Sequence, residues 1–365
     1  PSNLYSFSFA PNPNWSRAYS SSHEILDYIR SLVSGFELQR HIRFNTNVND
    51  IKFDDSTGLW IIKTDTKKTS KVKTLQARSV VIASGPLANC SFPNIPGLED
   101  YKGHKIHSAR WDHDFDFSNK KVALVGTGAS AVQIIPELVQ TAKHLTVFQR
   151  TPACVLPRFD AETPHWITSL FREIPGAQKL TRQALFALHE MGALGLIWNS
   201  PLTSIMQRVA LTHLHHQVKD NWMQRQLTPN YRIGCKRVLM SSEYYPALQQ
   251  SNCKLITWPI ARMSEKGIRC VEGIEHQFDC IVFATGFDIG TQTAPFSVKG
   301  LGGRDLGEDW NRGAQAYKSI NVSGYTNLFL TFGTNYGPDH NSELYYVETQ
   351  FQCALQRNHR NLRET

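Results

Sequence analysis

The stretch Val122-Ala123-Leu124-Val125-Gly126-Thr127-Gly128-Ala129-Ser130-Ala131 decides the fold. Four apolar residues run into a G-x-G-x-x-A turn. Val132, Ile135, Leu138 and Val139 then recur at helical spacing, and 145–148 reads as a second strand. In such a strand–turn–helix–strand unit the first glycine allows a tight turn. The second lets the backbone approach a pyrophosphate, and the small third residue lets helix and strand pack closely. The helix N-terminus supplies donors and positive potential to the phosphates. Gly126, Thr127, Gly128, Ala129, Ser130 and Ala131 are therefore the expected dinucleotide contacts, with a purely structural glycine turn as the alternative. Pro136 lies inside the helix and removes one backbone donor, so a bend is expected there.

The second strand ends Val147-Phe148-Gln149-Arg150-Thr151. Sites that prefer NAD place an acid there for the ribose hydroxyls. This sequence has none, and Arg150 stands 24 residues after Gly126. A guanidinium suits a 2′-phosphate, which points to NADP; an ordinary surface arginine is the other reading.

Outward from this unit, the chain has 365 residues, enough for two domains, and 41% hydrophobic residues, enough for a sizeable core. Its net charge of +8 is dispersed. Lys67, Lys68, Lys71 and Lys73 form the densest cluster and read as a solvated hairpin, not a nucleic-acid patch. Seven scattered cysteines with no C-x-x-C exclude a disulfide framework or structural zinc site and fit a reducing, cytoplasmic compartment. The start, Pro1-Ser2-Asn3-Leu4-Tyr5, is not a signal peptide. The longest apolar stretch, 184–198, is too short to span a bilayer and reads as a buried helix, with a peripheral membrane contact as the alternative.

A helix is expected over 22–32, capped by Ser22, and strands over 43–48, 60–62, 79–83, 254–257 and 280–283. Residues 156–230 alternate helical periodicity with prolines and read as a helical insertion. His213, His215 and His216 lack metal-ligand spacing and read as a solvated helix face; no metal is expected. Ser241 and Ser242 have no nucleophile elbow around them. Gly300-Leu301-Gly302-Gly303 reads as a loop.

The run Tyr101-Lys102-Gly103-His104-Lys105-Ile106-His107-Ser108-Ala109-Arg110-Trp111-Asp112 resembles the fingerprint of Baeyer–Villiger monooxygenases, F-x-G-x-x-x-H-x-x-x-W-[P/D]. Tyr101 replaces the first Phe; Gly103, His107, Trp111 and Asp112 fall on pattern. Further similar blocks are Leu4 to Phe9 with Trp15 to Tyr19, Ala83-Ser84-Gly85-Pro86-Leu87, Val147 to Pro152, Ile233-Gly234-Cys235-Lys236-Arg237, Tyr244 to Leu248, Ala284 to Asp288 and His340-Asn341-Ser342. The resemblance covers nearly the whole chain, is weakest over 156–230, and is nearest to members of the 4-hydroxyacetophenone and cyclohexanone monooxygenase kind.

The resemblance implies an α/β fold with two Rossmann-like dinucleotide-binding domains, the FAD one incomplete. The FAD part would be 1–86 with 289–365, and the NADP part 87–155 with 231–288. It implies that NADPH and O2 are used through a C4a-peroxyflavin to insert one oxygen atom into a small ketone or aldehyde. Arg150, Thr151 and Lys236 resemble the 2′-phosphate contacts, and Arg237 the active-site arginine. Tyr5, Val48, Ala83, Ser84, Gly85, Ser342 and Glu343 fall at FAD positions; at Glu343 an apolar residue is usual, and a carboxylate there would oppose charge on reduced flavin. For His107 it implies a part in the interdomain connection and in coupling NADP binding to the flavin site.

The family's first GxGxxG and an aspartate that pairs with the arginine would precede Pro1, and members continue past the last helix. The chain therefore reads as a fragment or a natural truncation, expected not to hold FAD tightly. An N- or S-oxidising flavin monooxygenase and a non-catalytic NADP-binding pseudoenzyme are the alternative functions.

Overall fold

The computed structural model describes residues 1–66, 72–85, 87, 89–198, 200–288, 294–334 and 341–363, leaving aside the side chains of 194–197 and 357–363. Lys67, Lys68 and Lys71 lie outside the described residues. The chain divides into two compact units. One comprises 1–89, 160–191 and 288–365; the other comprises 90–159 and 192–287.

The 90–159/192–287 unit is built on a five-stranded sheet in the order Cys253–Ile256, His144–Phe148, Lys121–Val125, Cys280–Phe283, His104–His107. Every pairing is parallel. Parallel strands are covered on both faces, so their sequences are continuous apolar runs. Cys280–Phe283 is buried at all four positions, and Lys121–Val125 at all but the first. The helix Ala129–Thr141 covers one face with Ala131, Val132, Ile135, Leu138 and Val139. It runs through Pro136 without a break. The other core holds Tyr101, Met263, Ile268, Phe278 and Phe283. It includes side chains from an antiparallel three-stranded sheet of Ile260–Ser264, Gly267–Cys270 and Glu275–Gln277.

From Lys121–Val125 the sheet grows outward through His144–Phe148 and Cys253–Ile256. The chain then returns to the opposite flank with Cys280–Phe283. That reversal is a topological switch point, and ligands of open α/β sheets bind beyond the carboxyl ends of the strands beside it.

The 1–89/160–191/288–365 unit carries a four-stranded sheet ordered Ser297–Lys299, Thr46–Asp54, Leu59–Thr66, Lys73–Ala77. Only its first pairing is parallel. The strand expected over 43–48 begins instead at Thr46, because Asn45 adopts a left-handed φ of 54°. It continues to Asp54, since Ile51 and Phe53 alternate inward around exposed Lys52. Ile51, Phe53, Trp60, Val298, Trp310 and Leu328 form the core. Val80–Ile82 pairs in parallel with Leu328–Leu330. The helix expected over 22–32 spans Ser22–Gly35, and its cap is Ser21, whose hydroxyl accepts from the Glu24 N–H.

The stretch 156–230 does not act as one insertion. The helix His165–Glu173 and Ala177–Ile197 as far as Met191 fall in one unit, whereas Pro201–Gln217 and Asn221–Leu227 fall in the other. The latter pair buries Leu214 and Leu227 beside the sheet core. The apolar helix reading of 184–198 also needs correction. Leu188 and Met191 are each 60% exposed. The helix is held instead by polar groups. Arg182 donates to the Ser6 carbonyl, lies 3.9 Å from Glu348 and sits over the Tyr345 ring. Glu190 accepts from Asn341 Nδ2 at 2.9 Å and from the Tyr346 hydroxyl at 2.6 Å. Among the described residues, no helix is long and apolar enough to cross a membrane.

Candidate dinucleotide site

A cavity of about 700 Å³ opens at the switch point. Its floor is Val125, Gly126, Thr127, Gly128 and Ala129, where the strand Lys121–Val125 passes into the helix Ala129–Thr141. Gly126 has φ +121°, and a Cβ there would sit 2.4 Å from the Ala284 carbonyl oxygen on the neighbouring strand's exit. Glycine at this position therefore lets two parallel strands end side by side. At Gly128 a Cβ would meet nothing within 4 Å. Its bare backbone leads the helix N-terminus into open space, as a pyrophosphate requires. Ala131 is fully buried under the helix, a packing position, and neither it nor Ser130 lines the cavity.

The lining also carries cations. Arg150 and Thr151 follow the strand His144–Phe148, and Lys236 and Arg237 follow a turn at Gly234, φ +92°. All three cations are exposed. The preceding residue Gln149 fixes the strand end: its N–H donates to Ile256 O at 2.8 Å and its Nε2 to Gln226 O at 2.7 Å. Thr127 Oγ1 donates to Thr151 O at 2.6 Å, joining the glycine turn to the Arg150 loop. The Lys236 segment is pinned by Ile233, 1% exposed, and by the Leu239 N–H, which donates to Cys154 O at 3.0 Å. Lys236 Nζ lies 5.1 Å from the centre of the Tyr231 ring. Tyr231, Pro152 and Trp258 line the cavity, yet sequence reading missed all three as site residues. The signal available was position: each lies just beyond a strand end or before the glycine turn.

The fingerprint residues are elsewhere in the same unit and line none of this cavity. Tyr101 is 3% exposed and donates to Phe278 O at 2.9 Å. A Cβ at Gly103 would strike the Tyr101 hydroxyl, so the glycine makes room for the ring. His107 is buried between Phe92 and Phe287, with ring centres 5.1 and 6.0 Å away, and its Nδ1 accepts from the Ala109 N–H. Burial pushes its pKa below the usual value. Trp111 stacks on Phe117, and Asp112 meets His104 Nε2 at 3.0 Å. All of these are contacts within this unit.

The residues expected at FAD lie in the other unit. Val48 is on Thr46–Asp54, and Ala83, Ser84 and Gly85 follow Val80–Ile82, with Gly85 at φ +70°. Tyr5 follows a short 3-10 turn. Ser342 precedes the helix Glu343–Arg363; its hydroxyl oxygen is buried and has no hydrogen-bond partner among the described residues.

His213 is not simply solvated: its Nε2 lies 2.9 Å from Ser241 O. Among the described residues, Cys270, Glu272 and His276 alone bring three metal-capable groups within 4.8 Å, and the Glu272–His276 contact at 3.8 Å already engages two of them.

A glycine turn at a switch point, in a cavity lined with cations, defines a dinucleotide-binding α/β protein. Comparison narrows the class. The family model described as flavin-binding monooxygenase-like matches residues 2–175. A Baeyer–Villiger monooxygenase of Pseudomonas aeruginosa is 38% identical over 354 residues, 97% of this chain and 66% of that protein. A solved steroid monooxygenase bound to NADP superimposes with a TM-score of 0.79 at 28% identity, covering 97% of this chain and 74% of that one. A solved complex of OTEMO with FAD and NADP gives 0.81 at 25% identity, covering 95% and 72%. The chain belongs to the class B flavoprotein monooxygenases, in the Baeyer–Villiger family. It spans just under two thirds of the length of the Pseudomonas relative.

Proposed function

We propose that this chain supplies the NADPH site and part of the flavin site of a monooxygenase that transfers one atom of O2 to a ketone or aldehyde, giving an ester or lactone. The observation that carries the reading is the cavity that sets the glycine turn against Arg150, Thr151, Lys236 and Arg237. FAD, when bound, supplies the redox and oxygen chemistry. The remaining work belongs to the chain. The N–H groups at Gly128 and Ala129 hold the pyrophosphate at the helix N-terminus. Arg150 and Lys236 neutralise the 2′-phosphate, with Thr151 beside them. Arg237 is permanently cationic, so it stabilises negative charge that develops on the substrate without moving a proton of its own. Tyr5, Val48, Ala83, Ser84, Gly85, Ser342 and Glu343 form the flavin-facing set of the other unit. All seven cysteines are free, which suits a reducing compartment such as the cytoplasm.

NADPH and NADH titrated into the purified chain test the reading. NADPH binds more tightly, and Arg150→Ala weakens NADPH by about 10–100-fold while leaving NADH unchanged. Equal affinities for the two nucleotides in the parent overturn it. With flavin supplied, Arg237→Ala abolishes ester formation from a ketone, a loss larger than its effect on NADPH affinity. An N- or S-oxide made in place of an ester, with a sulfide and a ketone offered together, would assign the other branch of flavin monooxygenases.

A further inference from the structure

Two cations from distant parts of the chain must converge on one phosphate. Arg150 follows the strand His144–Phe148; Lys236 stands on a turn 86 positions later (236 − 150). Both have long, flexible stems, and each gives up rotamer freedom when it is fixed. Convergence therefore needs a common reference, and Tyr231 touches both segments. Its hydroxyl donates to Pro152 O at 2.9 Å, two residues past Arg150. Its ring lies under Lys236 Nζ at 5.1 Å. A third tie, from Thr127 to Thr151 O, joins the same loop to the glycine turn.

We propose that Tyr231 is the positioning residue that makes the cavity select a 2′-phosphorylated nucleotide, by holding Lys236 and the Arg150 loop at one fixed spacing; this rests on the NADP reading above. The ring face attracts the ammonium and leaves its N–H groups free to meet the phosphate. The hydroxyl sets how far that ring stands from the loop. Tyr231 is half-buried, and burial pushes its phenol above the usual value, so it remains a protonated donor at neutral pH. Its ring also packs against the cluster of Cys154, Ala210 and Ile233, where a leucine keeps an apolar side chain. Ile233 and Leu239 anchor the segment on both sides of the turn. Removing the ring therefore frees Lys236 to wander without unfolding the turn. On this proposal the loss falls on the 2′-phosphate, the group that distinguishes the two nucleotides.

The test measures NADP+ and NAD+ affinities by calorimetry for the parent, Tyr231→Leu, Tyr231→Phe, Lys236→Met and the Tyr231→Leu/Lys236→Met double variant. Tyr231→Leu weakens NADP+ by about tenfold and leaves NAD+ within about twofold. Tyr231→Phe keeps the ring and weakens NADP+ by about threefold. In the Lys236→Met background, Tyr231→Leu costs less than in the parent, since the ring has no ammonium left to hold. Equal losses for both nucleotides in Tyr231→Leu overturn the proposal and make Tyr231 a structural residue. So does an unchanged NADP+ affinity. A parent that prefers NADP+ and loses that preference in Arg150→Ala but not in Tyr231→Leu sinks the Tyr231 role and leaves the NADP reading standing. A parent with no preference sinks both. Tyr231→Phe changes no volume that a folded turn would feel, so it keeps the test decisive if Tyr231→Leu folds poorly.

Discussion

Adding one methyl group at each of the two motif glycines separates folding from binding. At Gly126 the chain has φ +121°, a region that costs a residue with a side chain roughly 1–3 kcal/mol. The new Cβ would also lie 2.4 Å from Ala284 O, and ordinary contact begins at 3.4 Å, so backbone must retreat by about 1 Å. That backbone belongs to the exit of Cys280–Phe283, whose next N–H, at Ala284, donates to Val125 O at 2.9 Å. Overpacking of this kind adds roughly 1–3 kcal/mol. Gly126→Ala is therefore expected to lose about 2–6 kcal/mol of stability. At Gly128, φ is −78° and nothing lies within 4 Å of a Cβ. Gly128→Ala should change stability by less than about 1 kcal/mol, since poorer capping and a stiffer unfolded chain offset each other. Its methyl group instead occupies the approach of the pyrophosphate, and NADP+ affinity should fall by about tenfold or more. Guanidinium unfolding followed by tryptophan fluorescence reads the first quantity and calorimetric titration the second. The reasoning fails if Gly128→Ala destabilises as much as Gly126→Ala, or if it binds NADP+ like the parent.

Three further substitutions probe the surrounding scaffold. Tyr101→Phe leaves the Phe278 carbonyl without its buried donor and should cost about 1–3 kcal/mol in denaturant unfolding. Its NADP+ affinity should stay within about twofold, since Tyr101 lies outside the cavity lining. Arg182→Met removes the donor to the Ser6 carbonyl and the cation 3.9 Å from Glu348, which keeps its hydrogen bonds from Ser8, and should destabilise by about 1–3 kcal/mol; adding Glu348→Gln should recover part of the loss in a thermal melt. His107 has a folded pKa below its ordinary 6.5. The unfolded chain therefore takes up the proton first, and stability present at pH 7 is lost as pH falls from 6.5 through the folded value. His107→Gln should flatten that fall; a parent and variant with parallel pH profiles would refute the assignment.

The parallel sheet was legible because burial on both faces writes strands as unbroken apolar runs. Val122 to Val125 and Cys280 to Phe283 are of that kind. The glycine turn was legible for a related reason: Gly126 meets a neighbouring backbone that leaves no room for a side chain, and Gly128 opens onto the empty space where a pyrophosphate would approach. Strand limits set by one dihedral were not legible, as Asn45 shows. The helix Ala177–Ile197 misled for a physical reason. Its apolar residues suggested burial, but its fixed side is chosen by Arg182 and Glu190, whose partners Ser6, Glu348, Asn341 and Tyr346 are more than 150 residues away. Pairings at that range leave no periodic trace. Tyr231 escaped for the same reason: its importance lies in a carbonyl 79 residues earlier, and carbonyls are anonymous in a sequence.

The strand Thr46–Asp54 lies between two partners of very different origin. Leu59–Thr66 follows it at once, whereas Ser297–Lys299 joins it through pairs such as Ile51 with Val298, 247 residues apart (298 − 51). A ribosome adding about 5–20 residues per second leaves that edge open for roughly 12–50 seconds. During that interval the hairpin is a nascent chain with a free ladder, able to recruit any passing strand. Exposed Lys52 stands on the waiting strand, and a charged side chain on an open edge discourages pairing with another chain. The order of synthesis thus makes one ordinary surface residue a guardian of the unfinished sheet, and its neutralisation should lower the yield of folded chain while leaving the stability of the finished protein nearly unchanged.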